Sequence, residues 1–166
     1  MINSSMRRTD NQTRVTPSVL DRLVDLDPKL TTEGPKSRSA SLAELKQSVR
    51  RDLEWLLNTR CFLDPDEIDL EEAKKSVAFF GLPDITGMSV KSLAEQKRLS
   101  AAVETAIRHF EPRFLDLKIS FEPPSNTDRQ MRFRIEASLD MDPAPEPIAF
   151  DSVLQIGTGG FAVIEK

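Results

Sequence analysis

The spacing of apolar residues changes from helical to alternating near residue 112, and that change predicts helices first and strands second. Val19, Leu20, Leu23 and Leu26 recur at helical spacing against Asp21, Arg22 and Asp25, which predicts a short helix opened by Pro17 and Ser18 and ended by Pro28. Ser41-Leu42-Ala43-Glu44 fits a capping box, so a long helix is expected to begin there. Leu42, Leu45, Val49, Leu53, Leu56 and Leu57 make one stripe through Asn58, with Lys46, Arg50, Asp52 and Glu54 elsewhere on the circumference. Trp55 lies at the edge of that stripe and is read as core. A second long helix follows from Leu93, Leu99, Ala102, Val103, Ala106, Ile107 and Phe110, with Ser89 or Ser92 as its cap and Pro112 as its stop. Between the long helices, Leu70 to Ala73 fits one helical turn. Ser76 to Phe80 reads as a short extended run entering the turn Gly81-Leu82-Pro83-Asp84.

From Leu115 to Phe121 the odd positions are apolar and Asp116, Lys118 and Ser120 alternate with them, the pattern of a half-buried strand. Met131, Phe133, Ile135, Ala137 and Leu139 repeat it, and the turn-rich segment Pro123 to Asp128 predicts that the two strands pair antiparallel. Beyond the proline-bearing loop Asp142 to Pro147 come Ile148, Phe150, Leu154 and Ile156, then Phe161 to Ile164. The predicted fold class is α+β, with N-terminal helices on one face of a C-terminal antiparallel sheet whose other face stays wet. Residues 1–16 read as a flexible polar arm, residues 17–40 as a short helix and linker, and residues 41–166 as the α+β domain.

At 166 residues with 39% hydrophobic and 30% charged side chains, the chain is long enough for a core without metal or disulfide support. A single cysteine, Cys61, excludes an internal disulfide, and a single histidine, His109, leaves only carboxylates to complete a metal site. No cofactor is expected. No apolar run is long enough to span a bilayer, and Met1 to Arg8 lack the apolar stretch of a secretory signal, which points to the cytoplasm. The net charge of −4 is uneven. Residues 1 to 60 hold 11 basic and 8 acidic groups, hence +3, and the remainder 12 and 19, hence −7. A segment that mixed lacks the uncompensated cations of a nucleic-acid surface, so protein partners are expected instead.

Four features invite a chemical reading. Gly157-Thr158-Gly159-Gly160 resembles a phosphate loop, but a strand follows where an anion would need a helix N-terminus, so a hairpin or bulge is expected. His109 sits beside the apolar face near a helix end, and Cys61 reads as a small buried filler. Glu111-Pro112-Arg113 is more specific, because a rigid proline between opposite charges at the helix-to-strand junction lets both face one site. Chemistry alone leaves two readings open there, a shared docking site or a solvated pair of little energetic weight.

With Arg50 to Arg60, with Ser76 to Asp84 and with the opening Pro17 to Leu23, this tripeptide resembles the TssE family of type VI secretion baseplate subunits, relatives of the small wedge protein of contractile-tail phages. The polar arm and the loop Asp140 to Pro147 depart from the family pattern. The resemblance implies a structural, non-enzymatic subunit beside TssF and TssG, with TssK in the same baseplate assembled at the inner-membrane face. It implies that Glu111 and Arg113, spaced by Pro112, anchor the domain to the wedge. It also implies that TssB/TssC sheath assembly starts on the sheet by strand addition to a free edge. The expected edge is Phe161 to Ile164 or Met131 to Leu139, with Arg132 and Arg134 as possible sheath contacts or an ordinary solvated face. Two rivals stand beside this reading. A lysozyme-like glycosidase would need a paired carboxylate and a general acid that stays protonated, whereas Arg113 favours the ionised form of Glu111. A generic adaptor would bind an unrelated assembly through its first helix.

Overall fold

The computed structural model describes residues 18–24, 28–29, 38–61, 63, 70–85, 87–89, 92–122, 130–142, 144–155 and 159–165. The expected arm, Pro17, Leu26, the turn Pro123 to Asp128, Ile156 and Gly157-Thr158 lie outside the described residues, as does most of the expected linker. The chain divides into two compact units, residues 1–45 and 46–166.

In the first unit, helix α1 (Val19–Leu23) is capped by Ser18, whose hydroxyl accepts from the Asp21 amide at 3.2 Å. Helix α2 runs from Arg38 to Asn58, one turn longer than expected, with residues up to Leu45 in the first unit and the rest in the second. Ser41 is itself helical, so it does not act as the N-cap of a capping box, which requires its serine to sit outside the helix.

In the second unit, α3 (Glu71–Lys74) is the expected single turn. Residues Val77–Phe79 form a 3-10 turn rather than an extended run, because a chain turning between α3 and Gly81 closes its hydrogen bonds locally, Phe79 N to Ser76 O and Phe80 N to Val77 O. Gly81 has φ +117°, and a Cβ there would meet the Thr59 carbonyl oxygen at 2.4 Å. That close approach lets Leu82 N donate to Thr59 O at 2.9 Å and Cys61 N to Leu82 O at 2.8 Å, which ties the end of α2 to this segment in a short parallel bridge. Helix α4 (Leu93–Phe110) is capped by Ser92, one of the two expected serines.

Strands β1 (Phe114–Phe121), β2 (Gln130–Leu139), β3 (Glu146–Gln155) and β4 (Gly160–Glu165) form one antiparallel sheet in sequence order. The α+β arrangement is thus the predicted one. β2 shows the clean alternation of a strand with one buried face, with Met131, Phe133, Ile135, Ala137 and Leu139 buried. Val49, Leu53, Leu56 and Leu57 of α2 and Leu99, Val103 and Ile107 of α4 complete the core with Phe150, Leu154, Phe161 and Val163. Phe133 stacks on Phe121 and meets Phe161 edge-on, each with ring centroids 5.7 Å apart.

β1 departs from its predicted alternation. The register shifts between Leu115 and Lys118, and Asp116 takes φ 52° in a bulge. The extra residue turns Leu115 outward, so the residues that follow the core face are Phe114, Leu117, Ile119 and Phe121 instead of four odd positions.

Candidate functional site

α4 ends because Pro112 cannot continue it, and residues 111 to 114 close a turn in which the Phe114 amide donates to the Glu111 carbonyl at 3.2 Å. That turn returns Arg113 onto Glu111. The guanidinium engages the carboxylate through Nε and Nη2, one nitrogen to each oxygen, and Nη2 also donates to Asp52 of α2 at 2.8 Å. Glu111 is only 4% exposed, whereas Arg113 and Asp52 stay partly open to solvent. Burial acts to lower the Arg113 pKa, but the hydrogen bonds and charge of Glu111, then those of Asp52, outweigh it and raise the pKa above its ordinary value.

The network continues along α2. Arg51 donates to Asp52 Oδ1 through Nε at 3.2 Å and Nη2 at 3.0 Å, and to the Ser48 hydroxyl at 3.3 Å. Its guanidinium lies over the Trp55 ring at 5.2 Å from the centroid. Trp55 is 55% exposed and is not core. The inward residues Leu53, Leu56 and Leu57 leave position 55 on the far side of the helix at 100° per residue. The sequence brought Glu111, Pro112 and Arg113 together by adjacency; Asp52 and Arg51 were missed as members of the site. Their signal was the Arg50 to Asn58 run, and nothing local linked it to residue 113.

The two ends of the sheet differ. At β4, the outward backbone groups of Phe161 and Val163 are occupied by α2 side chains spaced four apart. Asn58 donates to Phe161 O and accepts from Phe161 N, both at 2.9 Å, as a neighbouring strand would. Glu54 accepts from Val163 N at 3.3 Å and Arg50 reaches Val163 O at 3.5 Å. At β1, Glu122 N donates to Arg132 O at 3.0 Å, which makes that opposed pair hydrogen-bonded and, by antiparallel alternation, turns the backbone groups of Ile119 and Phe121 outward. Arg108 of α4 reaches only as far as Leu117 O, at 3.2 Å. Of the two candidate edges, Phe161 to Ile164 does lie on an edge strand, β4, whose outward groups α2 covers, whereas Met131 to Leu139 does not, because β2 is interior; β1 is the other edge.

Arg132 and Arg134 lie on the outward face of β2. Arg134 is held by Asp151, its cross-strand partner on β3, at 2.7 and 3.3 Å, and that hydrogen bond raises its pKa. Arg132 is exposed. Cys61 is partly exposed rather than buried, with its thiol 3.1 Å from the Leu63 carbonyl. It lines a groove of about 500 Å³ with His109, Phe110 and the small α4 residues Ala102 and Ala106. No group of three His, Cys, Asp or Glu that could hold a metal occurs among the described residues. No described helix is long and apolar enough to cross a membrane. Gly160 opens β4 opposite Gln155 in an antiparallel pair, as the hairpin reading of the glycine run expects.

Both oxygens of Glu111 are engaged by a permanently charged guanidinium, which does not suit a general acid. A family model described as baseplate wedge protein gp25 matches residues 43–144, a span that includes most of α2, all of α4, the Glu111 to Arg113 turn, β1 and β2. No curated protein matches the chain in sequence.

Proposed function

The chain belongs to the baseplate wedge protein gp25 family, and on that premise we propose that it is the TssE-type subunit of a type VI secretion baseplate. A structural place in a baseplate, in contact with other baseplate components, goes with the family. The finer reading is ours. The chain docks on the TssF/TssG wedge through the seam of Glu111, Pro112, Arg113 and Asp52, within a cytoplasmic baseplate that also holds TssK. It starts the first TssB/TssC ring by accepting a sheath strand, and it performs no bond-breaking step.

The observation that carries this reading is the asymmetry of the sheet. A subunit that accepts a strand from one partner needs one edge open and the other blocked, since two open edges invite self-association. Asn58, Glu54 and Arg50 block β4, while Ile119 and Phe121 turn their backbone groups outward on β1. Arg132, exposed one strand in from β1, orients an acidic stretch of the incoming arm.

Proline substitution tests it. Ile119→Pro removes an outward donor and leaves the β1–β2 ladder whole, whereas Ser120→Pro removes a donor inside the ladder. The reading expects Ile119→Pro to fold, to bind TssF/TssG and to abolish initiation of TssB/TssC sheaths. Normal sheath formation by that variant would overturn strand addition at β1.

A further inference from the structure

The open edge of β1 is shorter than the strand that carries it. Lys118 opposes Glu136 and Ser120 opposes Arg134, in the hydrogen-bonded pairs that alternate with Ile119 and Phe121, so the backbone groups of Lys118 and Ser120 point to β2. In a trans peptide a carbonyl points opposite to the N–H that follows it. With the Lys118 amide turned to β2, the Leu117 carbonyl therefore turns outward, in line with the groups of Ile119 and Phe121. That carbonyl is already occupied. Arg108 donates to it through Nη2 at 3.2 Å, and the guanidinium is itself held from one turn back on α4 by Glu104, at 3.1 Å from Nε and 2.8 Å from Nη2. A guanidinium donates and cannot accept, so it fills the Leu117 acceptor and offers an arriving strand nothing to pair with. One residue earlier, the bulge at Asp116 breaks the ladder. What remains is a window at Ile119 and Phe121, each with its amide and its carbonyl outward.

The side chains of the same two residues indicate what the arriving strand carries. Directly opposed residues place their side chains on one face of a sheet, here the face on the core. Ile135 and Phe133 of β2 are 0% and 2% exposed, while Ile119 and Phe121 opposite them are only half-buried. The apolar layer thus thins out at β1, and two more apolar side chains, one beside each, extend it.

We propose that Arg108 sets the register of strand addition: the added strand pairs with Ile119 and Phe121, stops short of Leu117, and carries apolar residues at the two alternate positions beside them. This rests on the strand-addition reading above and deepens it by naming a positioning residue and the pattern of the occupant. Main-chain hydrogen bonds hold such a strand, and the alternate side chains select it.

Synthetic peptides tiling TssB and TssC, mixed at saturating concentration with the full chain, test it by hydrogen exchange followed by NMR, with the isotope label first on the chain and then on the peptide. Binding is expected to slow exchange at the Ile119 and Phe121 amides. Replacing either alternate apolar residue of the bound peptide by serine is expected to weaken binding roughly tenfold. Arg108→Ala frees the Leu117 acceptor and leaves the core alone, since the Arg108 side chain is 54% exposed. That variant is expected to keep its circular dichroism and to protect one more peptide amide than the native chain does. An unchanged number of protected peptide amides overturns the stop while strand addition stands. Serine replacements that leave binding unchanged overturn the pattern of the occupant. Ile119 and Phe121 amides that no peptide protects overturn strand addition at β1, and the stop with it.

Discussion

Replacing Arg113 by alanine separates two roles that the seam combines, bracing the domain and docking a partner. Glu111 is 4% exposed and both its oxygens face Arg113, so the substitution leaves a buried carboxylate without its counterion. Breaking one side of such a buried pair costs about 3–5 kcal/mol, a large share of the roughly 5–15 kcal/mol that holds a domain together. Arg113→Ala is therefore expected to lose about 3–5 kcal/mol in urea unfolding, with an unchanged dependence on denaturant concentration. Removing both charges with Glu111→Met and Arg113→Met is expected to cost far less than Arg113→Ala, because two apolar side chains leave no orphaned charge. The Asp52 carboxylate is less demanding, since it keeps Arg51 and partial exposure. Arg113 stays charged through the working pH range. A loss below about 1 kcal/mol, the range of an exposed ion pair, would show that Glu111 is not braced by Arg113 and refute this account.

Three other perturbations address the parts that position the seam and the sheet. Gly81→Ala is expected to lower the midpoint of thermal unfolding by several degrees, because φ +117° is strained for alanine and the new methyl meets the Thr59 carbonyl. Ser152 is fully buried opposite Phe133 and Val163, and its hydroxyl has no hydrogen-bond partner among the described residues, so Ser152→Ala is expected to be neutral or to stabilise by up to about 1 kcal/mol in chemical denaturation. Asn58→Ala uncovers both backbone groups of Phe161, and hydrogen exchange is expected to speed at that amide while the Ala162 amide, on the β3 side of the strand, keeps its protection.

Periodicity alone determined the two long helices, the alternation of β2 and the α+β class, because a side chain's direction relative to its own neighbours is a local property. The Glu111-Pro112-Arg113 turn was legible for the same reason: proline stops the helix wherever the chain runs next. What the tertiary structure decided lies between residues far apart in sequence. Asp52 meets Arg113 across 61 positions, and Asn58 closes the edge at Phe161 across 103. A wet-face asparagine and a strand-edge cap look alike until the strand arrives. Trp55 was misread because the edge of a stripe is defined by what packs on it, and Leu115 because a single αL residue at Asp116 reverses the faces of everything before it. Which edge is open depends on strand order, and hydrophobic alternation is the same in an edge strand as in an interior one.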